Sequence, residues 1–140
     1  MTAIRIVKEK ERASFLVKEF EDAIFDIKVF HIADLMIDDY KYKGGICEYA
    51  YWDGIPFLIL DVLDERDAMI VKNIFTGQSE ECSKELAGLI ITFFALSNQV
   101  AKGRLRTKTD LLNNLLDKIK DECFSGKIAN GRDIWMTILD

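Results

Sequence analysis

The most apolar stretch of the chain lies in residues 80–101, and its pattern predicts a helix. Its large apolar side chains leave almost no polar face in the middle turns: Leu86, Leu89, Ile90, Phe93, Phe94 and Leu96. A helix that is apolar nearly all round must be covered on several sides, so we expect it to be the buried centre of the fold. The apolar run is about half of the roughly 20 residues that a transmembrane helix needs, which favours a core helix over a membrane anchor.

Residues 8–39 show the periodicity of an amphipathic helical region. Apolar residues recur there at three- and four-residue steps: Ala13, Leu16, Phe20, Ala23, Ile24 and Ile27. The apolar content continues to Ile37 without a glycine or a proline to mark a break. Because one unbroken helix of this length would be unusual, we expect a kink or a second short helix near residues 29–32. Whether the region forms one helix or two stays open.

Three strand-like runs follow, in residues 46–52, 55–63 and 68–75. Asp53-Gly54 separates the first two runs and is a strong hairpin signal, since a type I′ turn needs positive φ at both central positions. Residues 57–60 are all apolar, so we expect the second strand to be buried on both faces. The pattern predicts a three-stranded antiparallel sheet.

Capping residues indicate where the central helix begins and ends. Ser79 is a suitable N-cap, and Glu80 and Glu81 suit the first turn of a helix that follows it. Gly103 is expected to end the helix. Near the end of the chain, the apolar spacing in residues 132–140 suits a short helix slightly better than a strand, and the choice between the two stays open.

A second, amphipathic helix is predicted between the central helix and the tail. Thr107 and Asp110 have capping-box spacing, and Gly126 suits the position just after the last turn. One face is apolar: Leu111, Leu112, Leu115, Leu116, Ile119 and Cys123. The other face is polar: Asn113, Asn114, Asp117, Lys118 and Asp121. This helix should pack its apolar stripe against the rest of the fold.

Together these elements predict an α+β fold in a single domain that covers residues 1–140. A chain of 140 residues is near the usual size of one domain, and one proline and eight glycines leave no flexible linker. At 49% hydrophobic and 31% charged, the chain can bury a sizeable core without the composition of a disordered protein.

The cysteines and the N-terminus indicate where the protein works. Cys47, Cys82 and Cys123 have no short spacing, so neither a disulfide framework nor a zinc site is predicted. Small buried thiols in a reducing cytoplasm explain them best. The first residues have no apolar core of a secretory signal, and we therefore expect a cytosolic protein.

The sequence predicts no catalysis, no metal and no cofactor. His31 is the only histidine, lies among apolar residues and has no nucleophile elbow beside it. The densest carboxylate cluster is Asp61, Asp64, Glu65 and Asp67, and it lacks the alternation and the glycine of a calcium loop. The basic run of Lys102, Arg104, Arg106 and Lys108 is explained by its place after a helix C-terminus.

One segment combines acidic and aromatic residues as binding surfaces do. The predicted partner-binding residues are Asp34, Asp38, Asp39, Tyr40, Tyr42, Tyr49, Tyr51, Trp52 and Asp53. Aromatic rings supply rigid contact area, and carboxylates pair with basic residues of a partner. The alternative is that the tyrosines point into the core or pair across strands. The sequence leaves this choice open.

The size, the acidity and this acidic-aromatic segment resemble those of small bacterial immunity proteins. Such proteins neutralise nucleases or other toxins, including those of contact-dependent inhibition systems. The formal net charge is −5, and the first 100 residues carry 18 acidic against 11 basic residues. The resemblance implies a non-catalytic cytosolic protein that binds one cognate basic toxin domain. Nucleic acid and membrane are not expected as partners.

A second class fits the same features. Small acidic chaperones of type III secretion share the size and the helix–strands–helix order, and they form dimers. The sequence leaves open whether this protein is a monomer or a weak homodimer. A dimer that co-purifies with an effector would indicate a chaperone or adaptor, whereas protection from a toxin encoded just upstream would indicate an immunity protein.

Overall fold

The structure is a computed structural model that describes residues 3–38, 42–62, 68–103 and 108–139, with the backbone alone for residues 38, 42–46, 61 and 62. The strands are β1 (Ile4–Ile6), β2 (Ile37–Asp38), β3 (Tyr42–Trp52), β4 (Ile55–Val62), β5 (Ala68–Lys72) and β6 (Ser79–Ser83). The helices are α1 (Arg12–Phe20), α2 (Phe25–Met36), α3 (Lys84–Ala101), α4 (Thr109–Phe124) and α5 (Gly131–Ile134), which continues as a π-helical turn (Trp135–Leu139). The predicted α+β fold class is confirmed.

The described strands form two antiparallel sheets, in the orders β1-β3-β4 and β2-β5-β6. The predicted hairpin is confirmed: Trp52 pairs with Ile55, and φ is 50° at Asp53 and 82° at Gly54. The first sheet has three strands, but its third strand is β1 and not the predicted run 68–75. That run forms β5, which ends at Lys72 and pairs with β6. Strand propensity does not specify a partner, and β6 lies in residues that we had assigned to the central helix.

The N-terminal region is two helices, but the break predicted near residues 29–32 lies earlier. α1 ends at Phe20, and Glu21 adopts a left-handed conformation with φ of 55°. The Asp22 carboxylate then accepts a hydrogen bond from the Ile24 amide at 3.1 Å, just before α2 begins. This turn contains neither glycine nor proline, so the usual sequence signals of a helix break do not predict it.

The break changes which residues of the N-terminal region are buried. Leu16 and Phe20 are buried as predicted, whereas four other residues of the predicted apolar face are exposed: Ala13, Ala23, Ile24 and Ile27. The buried residues of α2 are Phe25, Val29, Ala33 and Met36. A single periodic pattern cannot continue through a left-handed residue, because the second helix leaves the turn in a new direction.

The central helix is confirmed, although it begins later than predicted. Residues 79–83 form β6, so the predicted N-cap Ser79 is wrong and Ser83 is the N-cap. The Ser83 hydroxyl accepts a hydrogen bond from the Leu86 amide at 3.1 Å. Gly103, with φ of 78°, follows the end of the helix as predicted. The helix is covered on most sides, since its buried residues are Leu86, Ala87, Gly88, Leu89, Ile90, Ile91, Thr92, Ala95, Leu96 and Gln99.

The central helix covers the open edge of the first sheet. β4 is the last strand of that sheet, yet Leu58 is completely buried. The Leu58 amide donates a hydrogen bond to the Thr92 hydroxyl at 3.1 Å, and that hydroxyl donates to the Gly88 carbonyl at 2.7 Å. A Cβ atom at Gly88 would lie 2.3 Å from the Leu58 carbonyl oxygen. The close approach of α3 therefore satisfies a strand edge that would otherwise be unpaired.

The C-terminal helices pack on this centre. α4 buries Leu115, Ile119 and Cys123 of its predicted apolar stripe, and it also buries Lys118, which we had placed on the polar face. Thr107 of the predicted capping box lies outside the described residues, and α4 begins at Thr109. The tail is helical. No helix among the described residues has the length and apolar character that crossing a membrane requires.

Replacing Gly88 with alanine should destabilise the protein. At an ordinary interior helix position, Gly→Ala stabilises by about 1 kcal/mol. Here the added methyl group meets the Leu58 carbonyl, and such overpacking typically costs about 1–3 kcal/mol. We therefore expect Gly88→Ala to lower the free energy of unfolding in a urea titration. A gain in stability would show that α3 does not lie against β4 as described.

Replacing Thr92 with valine should leave the Leu58 amide without its partner. The shape of the side chain is kept, so the loss of about 1–3 kcal/mol comes from the unpaired buried group. Amide hydrogen exchange should accelerate at Leu58 more than at Leu115 of α4, which serves as an internal reference. Thr92→Ser keeps the hydroxyl and is the matched control. Equal protection of the Leu58 amide from exchange in Thr92→Val and Thr92→Ser would contradict the hydrogen bond.

Candidate functional site

The structure divides the predicted acidic-aromatic surface among different parts of the fold. Asp34 is exposed on α2, and Asp38 belongs to β2 in the second sheet. Tyr49, Tyr51 and Trp52 lie on β3 in the first sheet, and Asp53 is exposed in the hairpin. Asp39 and Tyr40 lie outside the described residues, and Tyr42 is described only by its backbone. The described residues of this predicted surface therefore do not form one continuous surface.

Tyr49 and Tyr51 pack against α1. The Tyr49 ring stacks on Phe15 with centroids 5.1 Å apart, and the Tyr51 ring meets Phe15 edge-on at 5.5 Å. The Tyr51 hydroxyl donates to Glu19, and the Tyr49 hydroxyl approaches Asp26 at 3.4 Å. Both rings are half-buried, and their contacts lie largely within the protein. This arrangement is closer to the alternative in which the tyrosines point into the core than to a fully exposed binding surface.

Burial and the neighbouring carboxylates raise the pKa of both tyrosines. Desolvation is the larger cause for each ring, followed by the charge of Asp26 at Tyr49 and by the hydrogen bond to Glu19 at Tyr51. Each pKa rises to about 12. The carboxylates beside these rings therefore act as hydrogen-bond acceptors inside the fold as well as surface charges.

Trp52 and Asp53 lie on the side of α4. The Lys118 ammonium group lies 5.1 Å from the Trp52 ring centroid and bonds both Asp53 and Glu122. Burial lowers the pKa of Lys118, but the hydrogen bonds to the two carboxylates outweigh it and raise the pKa. Lys118 is only 8% exposed, so it fastens the hairpin to α4. The spacing of four residues between Lys118 and Glu122 is a sequence signal for their ion pair, but not for the contact with Asp53.

Burial raises the pKa of Cys47 and Cys82 to about 12 and that of Cys123 to about 11, so these thiols stay protonated at neutral pH. Across residues 3–38, 42–62, 68–103 and 108–139, no three His, Cys, Asp or Glu side chains are grouped to hold a metal ion. The predicted carboxylate cluster from Asp61 to Asp67 lies where side chains are not described.

A groove that the sequence did not predict lies between α2, α3 and the turn that joins β5 to β6. Its volume is about 490 Å³. Its lining residues are His31, Ile32, Leu35, Met36, Asn73, Ile74, Phe75, Phe94, Ser97, Asn98, Ala101, Ile138 and Leu139. None of these is Asp, Glu, Lys or Arg, in a chain of which 31% is charged. The groove is therefore apolar with a few neutral polar groups.

The turn at the edge of the groove is held in a defined shape. The Asn73 side chain accepts hydrogen bonds from the amides of Phe75 at 2.8 Å and Thr76 at 3.2 Å. It also donates to the Thr137 carbonyl at 3.1 Å, which ties the turn to the C-terminal helical segment. Phe75 is 90% exposed on this turn, and Ile74 beside it is also exposed. The turn thus presents two apolar side chains in a fixed position.

A smaller cavity of about 260 Å³ continues the groove along the same two helices. Both cavities are lined by His31, Ile32 and Asn98. The smaller cavity also reaches Lys28 and Lys102, so this end carries positive charge. Lys28 pairs with Asp22, whereas Lys102 is exposed at the C-terminal cap of α3.

The sequence contained one signal for the groove. Ile74 and Phe75 lie between Asn73 and Thr76-Gly77, and an apolar pair within such a turn is exposed unless another element covers it. The predicted strand over residues 68–75 includes Ile74 and Phe75, so the prediction does not assign them to an exposed turn. The lining residues outside this turn come from three other segments, α2, α3 and the C-terminal helical segment, and no local pattern brings them together.

Comparison with known proteins identified no related family or protein. No protein-family model matches the chain, and no curated protein matches it either. The function is therefore inferred from the groove, the exposed turn and the distribution of charge.

Tyr51 should ionise later than an ordinary tyrosine. At pH 11 a tyrosine of pKa near 10 is about 90% ionised, whereas one of pKa about 12 is about 10% ionised. The phenolate absorbance at pH 11 should therefore be nearly equal in the wild type and in Tyr51→Phe, provided that circular dichroism shows both folded.

The same shift makes stability depend on pH. A folded-state pKa above the unfolded value contributes stability that is complete below pH of about 10 and is lost as the pH rises to about 12. Tyr51→Phe should therefore lose less stability than the wild type over this interval. Identical alkaline unfolding curves would contradict the environment described for this ring.

Proposed function

We propose that this protein is a non-catalytic binding protein that holds a protein partner in the apolar groove between α2, α3 and the β5–β6 turn. The observation that carries the proposal is Phe75, which is 90% exposed on a hydrogen-bonded turn at the edge of an apolar groove. An exposed aromatic ring beside such a groove is unfavourable in water unless another molecule covers it.

The composition of the groove supports this proposal. The centres of protein interfaces are depleted of charged residues and enriched in aromatic residues and methionine. Among the described residues that line the groove there is no Asp, Glu, Lys or Arg, and they include Phe75, Phe94 and Met36. Fully burying a side chain such as Phe75 contributes about 1.5–3 kcal/mol, which is the range of an interface hot spot.

The described part of the predicted acidic-aromatic surface is less suited to be the main contact. The Tyr49 and Tyr51 rings pack on Phe15, and the Trp52 ring faces Lys118. A partner would have to displace or cover contacts that these rings already make. Binding through the segment around Asp53 stays a prediction, and the proposal places the main contact at the groove.

An immunity protein is the role that we favour. The expectation rests on the size, the acidity and the resemblance to small bacterial immunity proteins, which implies a cytoplasmic protein that occludes a cognate toxin domain. The net charge of −5 would speed encounter with a basic domain, because long-range attraction steers association. The groove would then supply the short-range contacts that keep the complex together.

A secretion chaperone or adaptor is the second candidate, and the apolar groove is the observation that favours it. We expect a chaperone of this kind to hold an apolar segment of its effector in this groove. The two roles differ in the identity of the partner and in the growth phenotype. A chaperone should co-purify with an exported effector, whereas an immunity protein should allow growth of cells that express a toxin encoded just upstream.

Replacing Phe75 with aspartate should weaken binding without unfolding the protein. The partner to test is the product of the adjacent gene that co-purifies with the wild-type chain. Loss of a buried ring predicts a fall in affinity of about tenfold or more in titration calorimetry. Growth protection or effector export, whichever the wild type supports, should fall in parallel.

Val17→Asp is the matched control, because Val17 is also exposed, at 53%, but lines neither cavity. Circular dichroism should show both variants folded. Unchanged affinity in a folded Phe75→Asp variant would place the binding surface elsewhere, first around Trp52 and Asp53.

A further inference from the structure

We propose that the occupant of the groove is an amphipathic helix of the partner protein, with apolar side chains on one face and a carboxylate side chain near the end that lies over Lys102. The inference rests on the proposed function and deepens it, since it states the chemistry of the segment that the groove receives. Three features lead to it: the line of exposed residues on α2, the absence of strand backbone from the groove, and the charge at one end.

The first feature is a row of three exposed side chains along α2. Ile27 is 61% exposed, Leu35 is 45% exposed, and His31 between them is also exposed. Residues four apart lie on the same side of a helix, so these three side chains form one line along the groove. At about 1.5 Å per residue the line is roughly 12 Å long, and the turn with Phe75 extends it. A line of about 12 Å corresponds to roughly two turns of a partner helix, at about 5.4 Å per turn.

The second feature concerns the backbone of the occupant. An extended segment needs a free strand edge to satisfy its amides and carbonyls, and no residue of β1–β6 is among the described residues that line the groove. The free side of β6 is engaged, since the Asn130 side chain donates to the Glu81 carbonyl at 3.0 Å. A helix satisfies its own backbone, so it can enter an apolar groove without leaving polar groups unpaired.

The third feature is the difference in charge between the two ends. At the end with Phe75 and Leu139 none of the described lining residues is charged, whereas the end that reaches Gln99 is lined by Lys28 and Lys102. An occupant that carries a carboxylate at this end gains an ion pair, and one that carries a lysine there meets repulsion. Because Lys28 already pairs with Asp22, Lys102 is the cation among the described lining residues that should recognise the carboxylate.

A displayed library of random peptides of about 14 residues, enough for three to four helical turns, provides the probe. It is selected on the full-length wild-type protein and counter-selected on Phe75→Asp. We expect enriched peptides to carry apolar residues at helical spacing, i, i+4 and i+7, with Asp or Glu at one end. Their circular dichroism should gain helical signal on binding.

Charge reversal then tests the orientation. Lys102→Glu should weaken an enriched acidic peptide about three- to tenfold, because a repulsion replaces an attraction at an exposed pair. Replacing the peptide carboxylate with lysine should restore its affinity for Lys102→Glu and lower its affinity for the wild type. Lys127→Glu is the matched control, since Lys127 is exposed and lines neither cavity.

The remaining outcomes separate this inference from the proposed function. Enriched peptides that depend on Phe75 but lack helical spacing or acid preference would overturn the inference and leave the groove as the binding site. Selection that yields no peptide sensitive to Phe75→Asp would overturn both. A homodimer in sedimentation analysis that Phe75→Asp dissociates would assign the groove to a second copy and overturn the inference.

Discussion

The contact between α3 and the edge of β4 is the constraint on which the rest of the structure depends. On the side of β4 away from β3, no described strand lies beside the Leu58 amide, and the Thr92 hydroxyl takes the place of a strand carbonyl at 3.1 Å. Gly88 permits this approach because a side chain there would collide with the Leu58 carbonyl. A central helix that caps a sheet edge leaves both faces of β4 free to be covered by other elements, which explains why residues 57–60 are buried although they belong to an edge strand.

The orientation fixed by that contact also produces the groove. Gly88 and Thr92 face β4, whereas Phe94, Asn98 and Ala101 lie on another side of α3 and line the groove. α2 packs beside α3 but leaves this side open, and the β5–β6 turn closes only one end. A helix that is apolar nearly all round thus buries most of its surface and leaves one strip uncovered along the groove.

Aromatic and acidic residues serve different purposes in different parts of this fold. Tyr51 and Tyr49 use carboxylates of the N-terminal helices as acceptors, and Trp52 is covered by a buried lysine. Such pairs satisfy polar groups at the boundary between core and surface. Phe75 has no such contact among the described residues, and this difference, which composition does not reveal, makes it the stronger candidate for an anchor.

The sequence alone determined the features that depend on neighbouring residues. The apolar run of the central helix, the Asp53-Gly54 hairpin and the end of that helix at Gly103 all follow from local patterns, and they are confirmed. Local patterns could not decide that β5 pairs with β6 or that Lys118 is buried, because each depends on residues distant in the chain. They could not choose between Ser79 and Ser83 as the N-cap either, because the pairing of residues 79–83 with β5 decides where the helix begins. The groove belongs to this second group. Its walls come from segments that only tertiary packing brings together, and exposure of Phe75 is a property of what the fold leaves uncovered.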